Sequence, residues 1–192
     1  MDKRIVKKEV FYLQAINTVF LKGDIANIII TRNKNNEFRI TQYSTKKEEY
    51  VEYVSNVSNG ALNIHDRSKK KKWFWGIKGE CNTLYEIQLP VNKDINLKIL
   101  LNEGNLQILD GVFNYINIEV AEKGNIDITN IKLKSESKIY THNGNINLTI
   151  KENNTIILNA TANSGEINVD EKYLQGDALL NLQSDKGNIT VK

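Results

Sequence analysis

The chain repeats a pattern in which glycine is followed by alternating polar and apolar residues. The pattern Gly, polar, apolar, polar, apolar begins at Gly104, Gly124, Gly144, Gly165 and Gly187, with spacings of 20, 20, 21 and 22 residues. Apolar residues at every second position are typical of β-strands that bury one face. The sequence therefore predicts an all-β chain whose C-terminal half consists of repeated units.

One such unit is too small to be stable alone. Roughly six buried aliphatic side chains contribute about 2–3 kcal/mol each. Ordering about 20 residues costs about 1–2 kcal/mol per residue in backbone entropy. Stacking solves the problem, because successive units then share one core. The sequence predicts a parallel β-helix, or solenoid, with coils of about 20–22 residues over 101–192.

Stacked coils would place equivalent aliphatic residues in two ladders, one coil above the next. The first ladder contains Leu106, Ile126, Ile146, Ile167 and Ile189, and the second contains Ile108, Ile128, Leu148, Val169 and Val191. Glycine at each corner would permit a positive φ. The asparagines beside these glycines suit turns, and stacked asparagines also form hydrogen-bonded ladders.

An antiparallel β-sandwich is the alternative architecture. Asn143-Gly144 between two alternating segments is also a strong signal for a short hairpin. A sandwich, however, gives no reason for one glycine phase to persist through five units. The constant period therefore favours the solenoid.

Residues 1–100 are less regular but still alternate as strands do. The predicted strands are Ile16 to Phe20, Ile25 to Thr31, Phe38 to Tyr43, Tyr50 to Val54, Ala61 to Ile64, Leu84 to Leu89 and Ile95 to Leu100. Residues 46–54 fit a short helix or a strand equally well. Pro90 is predicted to end its strand, since proline has no ladder donor. We expect a single strand-repeat domain over 1–192, with an irregular part over 1–100.

The order of these features resembles a known family. An apolar strand pair ending in K-G-D-I is followed by a G-x-L-x-I strand, a strand ending in L-P, and repeated G-N-I-x-I units. From about Phe11 to Val191 this is similar to the bacterial putative-adhesin family, a β-strand-repeat domain of unknown function. The resemblance implies a right-handed β-helix-like fold, no established catalytic residues, and an adhesin-like binding or scaffold role at the cell envelope.

Composition excludes several classes of chemistry. The single cysteine, Cys81, cannot form an internal disulfide, and His65 and His142 are too few for a cysteine and histidine zinc site. No metal or cofactor is expected. Charges occupy the place of a signal-peptide apolar core, and no long apolar segment follows. The expected location is cytoplasmic or peripheral to a membrane, with the cell surface by an unrecognised route as the alternative.

One segment, 68–79, combines basic and aromatic residues. Its central residues are Lys69, Lys70, Lys71, Lys72, Trp73, Phe74 and Trp75. Lysines attract phosphate and tryptophans favour membrane interfaces, so an anionic membrane surface is one predicted partner. Envelope polysaccharide or another envelope protein are the others. In a purely structural interpretation, the aromatics cover the first coil. A nucleic-acid partner is not expected, because one basic run is a weak footprint.

Candidates for catalysis are few. The carboxylates are Asp110, Asp127, Asp170 and Asp185, and they occupy different phases of the repeat. No pair shares a column that would separate two pKa values into acid and base roles. Ser164 has no nucleophile-elbow sequence around it. His142 is expected in an exposed turn, and His65-Asp66 would be of interest only beside a cleft. A non-enzymatic protein is predicted, with a polysaccharide-active enzyme as the alternative.

The final repeat suggests self-association. No polar cap follows Val191, and an uncovered solenoid end can pair with another copy. Residues 1–100 hold 18 Lys and Arg against 11 Asp and Glu, whereas 101–192 hold 8 against 12. This polarity favours head-to-tail contact in a self-assembling structural protein. Lys186 and Lys192 flank the final strand and would oppose such pairing.

Overall fold

Strands account for most of the molecule. A computed structural model describes residues 4–12, 16–44, 53–66, 83–170, 173 and 176–192. Its strands confirm the all-β prediction. They are β1 (Arg4–Tyr12), β2 (Thr18–Ile25), β3 (Asn27–Asn33), β4 (Glu37–Ser44), β5 (Tyr53–Ser58), β6 (Ala61–Asp66), β7 (Thr83–Pro90), β8 (Ile95–Glu103), β9 (Leu106–Lys123), β10 (Ile126–Leu133), β11 (Ser137–Asn143), β12 (Ile146–Ile150), β13 (Ile156–Ser164), β14 (Ile167–Val169), β15 (Ala178–Lys186) and β16 (Ile189–Val191).

The strands form two sheets that share β9, which is 18 residues long. Neighbours along the first sheet follow the order β1-β4-β7-β3-β9-β10-β12-β16-β14. Along the second sheet the order is β5-β6-β2-β8-β9-β11-β15-β13. The inward side chains of both sheets belong to one hydrophobic cluster, which extends from Ile16 to Val191.

Each turn of the stack, here called a rung, consists of a second-sheet strand, a corner and a first-sheet strand. In spatial order the first rung is formed by β6 and β7, whose connection lies outside the described residues, and the next rungs are 18–33, 95–109, 115–133, 137–150, 178–191 and 156–169. Neighbouring rungs pair in parallel, so Ile126 lies beside both Leu106 and Ile146. The stacked repeats are thus solenoid-like, and the antiparallel sandwich is wrong for them. The right-handed winding stays a prediction.

The order of the rungs departs from the order of the chain. Ile189 pairs with both Ile146 and Ile167, so rung 178–191 lies between rungs 137–150 and 156–169 along the stack. Both predicted aliphatic ladders contain the expected residues, but the expectation that they follow chain order is wrong. The inward residues of the two rungs are similar in size, since Leu182 stands beside Ala160 but Ala178 stands beside Ile156. Side-chain size alone therefore does not explain which rung lies inside.

This order moves the edge of the stack away from the final strand. β16 pairs with β12 on one side and with β14 on the other. Lys186 and Lys192 therefore flank an internal strand, and the idea that they protect an edge is wrong. The edges at this end are β13 in the second sheet and β14 in the first.

The repeat glycines line up at one corner of successive rungs. A Cβ added to Gly124 would lie 1.8 Å from the carbonyl oxygen of Gly104, and one added to Gly144 would lie 2.0 Å from that of Gly124. Of the five repeat glycines, only Gly104 and Gly187 have a positive φ, of 132° and 151°. The positive φ that glycine permits is therefore used at two of the five corners. Glycine is required because the backbones approach too closely for a Cβ.

An asparagine ladder runs beside these glycines, as the sequence suggested. The backbone N–H of Asn125 donates to Oδ1 of Asn105 at 2.9 Å, and that of Asn145 donates to Oδ1 of Asn125 at 2.8 Å. Asn188 then donates to Asn145, also at 2.9 Å. The ladder ends where the N–H of Glu166 donates to Asn188. It follows the spatial order of the rungs and ties each corner to the next.

The other end of the stack is closed by antiparallel strands. β1 pairs with β4, β4 with β7, and β5 with β6. The strand β1 was not predicted from the sequence. β7 ends at Pro90, as expected, whereas the strand predicted over Tyr50 to Val54 is found over 53–58. Residues 45–52 lie outside the described residues, so the choice between helix and strand is settled only for Tyr53 and Val54, which are in β5.

Candidate functional site

The outer surface of the second sheet carries a continuous array of polar side chains near the end of the stack that rung 156–169 forms. β11, β15 and β13 lie side by side, and each points alternate residues outward. Lys138, Asn181 and Asn159 form one row across the strands, and Tyr140, Gln183 and Thr161 form the next. We call this surface the polar array, and it consists of Lys138, Tyr140, His142, Asn159, Thr161, Asn163, Asn181, Gln183 and Asp185.

Asp185 lies at the centre of the array's third row. Its Oδ2 accepts a hydrogen bond from the Tyr140 hydroxyl at 2.7 Å and lies 2.9 Å from Nδ1 of His142. Its Oδ1 accepts from Asn163 at 2.9 Å and from Gln183 at 3.2 Å. Four neighbours on three strands therefore converge on one carboxylate, which fixes the orientation of the Tyr140 ring.

These bonds shift the acidity of both partners. The hydrogen bond to Asp185 raises the pKa of Tyr140 to about 12. The same bond, followed by that of His142, lowers the pKa of Asp185 below its ordinary value. Hydrogen bonds to the charged form of a carboxylate favour that form. Asp185 is therefore ionised at neutral pH and unsuited to act as a general acid.

A shallow hollow of 310 Å³ lies beside this cluster. It is lined by Lys138, Asn159, Thr161, Asn181 and Gln183, with Leu182 beneath. The amide of Asn159 donates to Oδ1 of Asn181 at 3.2 Å. Such a surface offers donors and acceptors at the spacing of neighbouring strands, about 4.8 Å. It offers no paired carboxylates for acid and base catalysis.

The sequence did not reveal the pairing of His142 with Asp185. The two residues are 43 positions apart, and they meet only because rung 178–191 lies directly beside rung 137–150. His142 is partly exposed, as expected, but it lies in β11 and is held by Asp185 rather than standing in a free turn. No local motif signals this contact.

The other candidate carboxylates have separate partners. Asp110 forms an ion pair of 2.7 Å with Lys151, and Asp127 accepts a hydrogen bond of 2.7 Å from Asn147. Asp66 accepts from the N–H of Asp24 at 2.7 Å and from the Tyr85 hydroxyl at 2.5 Å. Burial raises the pKa of Asp66, although these hydrogen bonds oppose the rise. Asp127 and Asp66 therefore join neighbouring rungs, and the ion pair of Asp110 with Lys151 spans the rung between them.

The basic and aromatic residues from Lys69 to Trp75 lie outside the described residues. The described strands on either side of them are β6, which ends at Asp66, and β7, which begins at Thr83. β6 and β7 pair with β2 and β3, which are joined by Ala26 alone.

Outside the gaps at 1–3, 13–15, 45–52, 67–82, 171–172 and 174–175, no group of three His, Cys, Asp or Glu side chains is placed to hold a metal ion. In the same parts of the chain, no helix has the length and apolarity needed to cross a membrane.

The sequence of the chain matches a known protein family. The Toastrack DUF4097 family profile matches residues 96–192, half of the sequence. The chain belongs to the Toastrack DUF4097 family. This agrees with the resemblance stated from the sequence, since the match begins in β8 and covers all five glycine repeats. No curated protein matches the chain significantly.

Solved structures show the same fold in another protein. A putative cell adhesion protein from Clostridium sporogenes superposes with a TM-score of 0.67 at 13% identity, covering 98% of this chain and 99% of the other. The superposition of the Toastrack chain on a putative adhesin from Bacteroides fragilis has a TM-score of only 0.39 at 14% identity, and it covers 98% of this chain and 97% of the other. A putative lipid binding protein from Parabacteroides distasonis has a TM-score of 0.28, 14% identity, and coverage of 97% and 96%. Only the first similarity supports an argument about the fold.

Proposed function

We propose that this Toastrack protein is a non-enzymatic, adhesin-like binding module of the bacterial cell envelope, and that its polar array binds envelope polysaccharide. The observation that carries the proposal is the fixed, partly exposed ring of Tyr140 within a sheet surface of amides and hydroxyls. An aromatic ring with one polar end offers an apolar face to a ligand at low entropic cost. A sugar presents the matching combination of C–H faces and hydroxyl groups.

The amides of the array suit hydroxyl groups because each amide both donates and accepts hydrogen bonds. Asn181, Asn159 and Gln183 surround the hollow beside Tyr140. Successive strands repeat about every 4.8 Å, so an extended polymer can contact several rows at once. Individual contacts exchange with water and contribute little, so affinity depends on several of them acting together.

Binding to purified bacterial cell-wall polysaccharide fragments, measured by isothermal titration calorimetry, tests the proposal. Tyr140→Ala removes the stacking surface and should weaken binding at least tenfold. Tyr140→Phe keeps the ring but loses the bond to Asp185, so it should have an intermediate effect. Tyr115→Ala is a matched control, since Tyr115 is a partly exposed tyrosine outside the array. Equal binding by Tyr140→Ala and the wild type would contradict the proposal.

The segment 68–79 provides a second candidate function, contact with an anionic membrane surface. It is supported by the sequence of the segment, in which Lys69 to Lys72 directly precede Trp73, Phe74 and Trp75. Each lysine near an anionic surface contributes about 1 kcal/mol. Co-sedimentation with phosphatidylglycerol vesicles should therefore be strong at low salt and weak at high salt. Replacing Lys69 to Trp75 with serine should abolish it, whereas Tyr140→Ala should leave it unchanged.

A further inference from the structure

Among the described strands, none pairs with the rung 156–169 on the side away from rung 178–191. Of the inward residues of β13, Ile156 is fully buried, whereas Leu158, Ala160 and Ala162 are partly exposed and pack against the core. Ile167 is 48% exposed. In the neighbouring rung, the equivalent Leu180 and the rest of its inward face are at most 2% exposed. Solenoid ends normally need a cap, because an open end leaves apolar surface in water.

The backbone of β13 is unpaired along its outer side. Among the described strands, β13 pairs only with β15. The carbonyl oxygen of Ser164 accepts the N–H of Gly187 at 2.9 Å, so the backbone groups of Ser164 point toward rung 178–191. Backbone direction alternates along a strand, so the N–H and C=O groups of Asn159 and Thr161 point away from β15. They form an edge ready to accept another strand.

The composition of β13 does nothing to discourage pairing. Its nine residues, IILNATANS, contain no charge, no proline and no glycine. Natural proteins protect edge strands with charges, proline or bulges. The edge at the other end of the stack does carry such protection, because β1 includes Arg4, Lys7 and Lys8, and its pairing with β4 is irregular between Ile5 and Lys7. The open end therefore differs from the protected end in chemistry as well as in packing.

We propose that the occupant of this edge is a second copy of the chain, whose β13 pairs antiparallel with the first β13 about a two-fold axis at Ala160. This register sets Leu158 opposite Ala162 of the second copy, so a large inward side chain meets a small one. It sets Asn159 opposite Thr161, so polar outward residues meet across the axis. No like charges are brought together along the strand, because none of its residues is charged.

The two-fold arrangement closes the assembly. Both copies use the same edge, so the contact is isologous and gives a dimer rather than a filament. It also joins the two polar arrays into one surface, which doubles the length available to a polymer. The head-to-tail contact suggested by the sequence placed the uncovered end at the final strand, whereas β16 is internal and β13 is the edge strand.

The register makes a specific prediction about distances. Because the backbone groups of even-numbered residues in β13 point toward β15, Ala160 and its symmetry mate form a non-hydrogen-bonded pair. The Cα atoms of such pairs are about 4.5 Å apart, which is within the range that a disulfide can bridge. Ala162 faces Leu158 of the second copy instead, and the Ala162 of that copy is four residues away along the strands. Cysteine at position 160 should therefore cross-link the dimer, and cysteine at position 162 should not.

The cross-linking experiment uses the full chain with Cys81→Ser to remove the natural thiol. Ala160→Cys and the matched control Ala162→Cys are oxidised at low micromolar concentration and run on a non-reducing gel. We expect most of the Ala160→Cys protein to migrate as a covalent dimer, and the control to stay monomeric. Equal cross-linking of both variants, or of neither, would overturn the proposed register.

Sedimentation velocity over a hundredfold concentration range provides an independent test. The wild type should change from monomer to dimer, with no larger species. Thr161→Pro removes an outward N–H without removing a bond to β15, and proline is tolerated on edge strands, so this variant should remain folded and monomeric. Thr161→Val keeps the N–H and should still dimerise. A wild type that is monomeric throughout, or that forms filaments, would overturn the proposal, as would a dimeric Thr161→Pro variant.

Discussion

The two ends of the stack cover the same core in different ways. At one end, antiparallel strands hold large aromatic side chains, and Phe38, Tyr53 and Tyr85 are at most 1% exposed. The rings of Tyr53 and Tyr85 contact edge to face, with centroids 5.7 Å apart. At the other end, a parallel rung places the partly exposed Ala160 and Ala162 over the core.

The comparison shows two solutions to one problem. Large aromatics bury much apolar area when another layer of strands covers them. At the end formed by rung 156–169, Ala160 and Ala162 limit the apolar area left in water, but Leu158 and Ile167 remain partly exposed. The middle of the stack needs neither solution, because each rung is covered by its neighbours. Stability should therefore respond to mutation according to position along the stack.

The largest expected difference concerns the glycine corner. Gly144→Ala would place a Cβ 2.0 Å from the oxygen of Gly124, in a rung held on both sides. We expect a loss of about 3–5 kcal/mol or failure to fold, because a packed backbone cannot shift to make room. Gly165→Ala creates a similar contact, 2.1 Å from the oxygen of Gly187, but its rung has one neighbour and can move. About 1–2 kcal/mol is expected there. Urea denaturation followed by circular dichroism measures both, and equal losses would show that the open end is as constrained as the middle.

An intermediate difference is expected for two leucines in one column. Leu180 in the inner rung is fully buried, and Leu158 beside it in the open rung is partly exposed. Leu180→Ala should cost about 2–5 kcal/mol, as fully buried leucines do. Leu158→Ala should cost about 1 kcal/mol, because less area leaves water. The measurement uses chemical denaturation in the Thr161→Pro background, which keeps the chain monomeric. A larger loss for Leu158→Ala would mean that the end is covered within the monomer.

The smallest expected effect is a pH dependence of stability that Asp185 causes. The pKa of Asp185 is lowered in the folded protein, first by Tyr140 and then by His142. Its hydrogen bonds therefore stabilise the fold fully above the ordinary value near 3.8, and this stabilisation is lost as pH falls through the lower folded pKa. Melting temperatures between pH 2 and pH 6 should fall less steeply below pH 4 in Asp185→Asn than in the wild type.

Tyr140→Phe provides the control for this pH dependence. It removes the largest cause of the lowered pKa and keeps the ring, so it should reproduce most of the Asp185→Asn profile. Identical acid profiles for the wild type and both variants would show that the cluster adds nothing to stability.

Periodicity predicted the ladders but not their order. Residues such as Ile126 and Ile146 share a phase, and a common phase is enough to place them in one column. It does not state which rung lies next to which, because Ile167 and Ile189 have the same phase and similar size. The inner place of rung 178–191 depends on tertiary packing, and with it the contact between His142 and Asp185. This is why the fold was largely predictable and the polar array was not.

Two identical dipeptides show the limit of local signals. Asn59-Gly60 joins β5 to β6 as a tight hairpin, with φ values of 50° and 74°. Asn143-Gly144 instead forms a corner between β11 and β12, and neither residue has a positive φ. The second pair is held by the stacked backbones of Gly124 and Gly187 on either side. Neighbouring rungs, rather than the dipeptide, decide its conformation.

The inner place of rung 178–191 has a consequence for folding kinetics. During synthesis residues 156–169 emerge before residues 178–191. At that time the edge of β12, which β16 occupies in the native structure, is still free. If β14 paired with β12 at this stage, the pairing would be a kinetic trap. Residues 178–191 would have to displace β14 from β12 before both rungs could dock in the native order. Contacts between 137–150 and 178–191 also span about forty residues, and such non-local pairing is intrinsically slow. Refolding should therefore end in a slow phase, in which a competing strand exchange gives way to the native order.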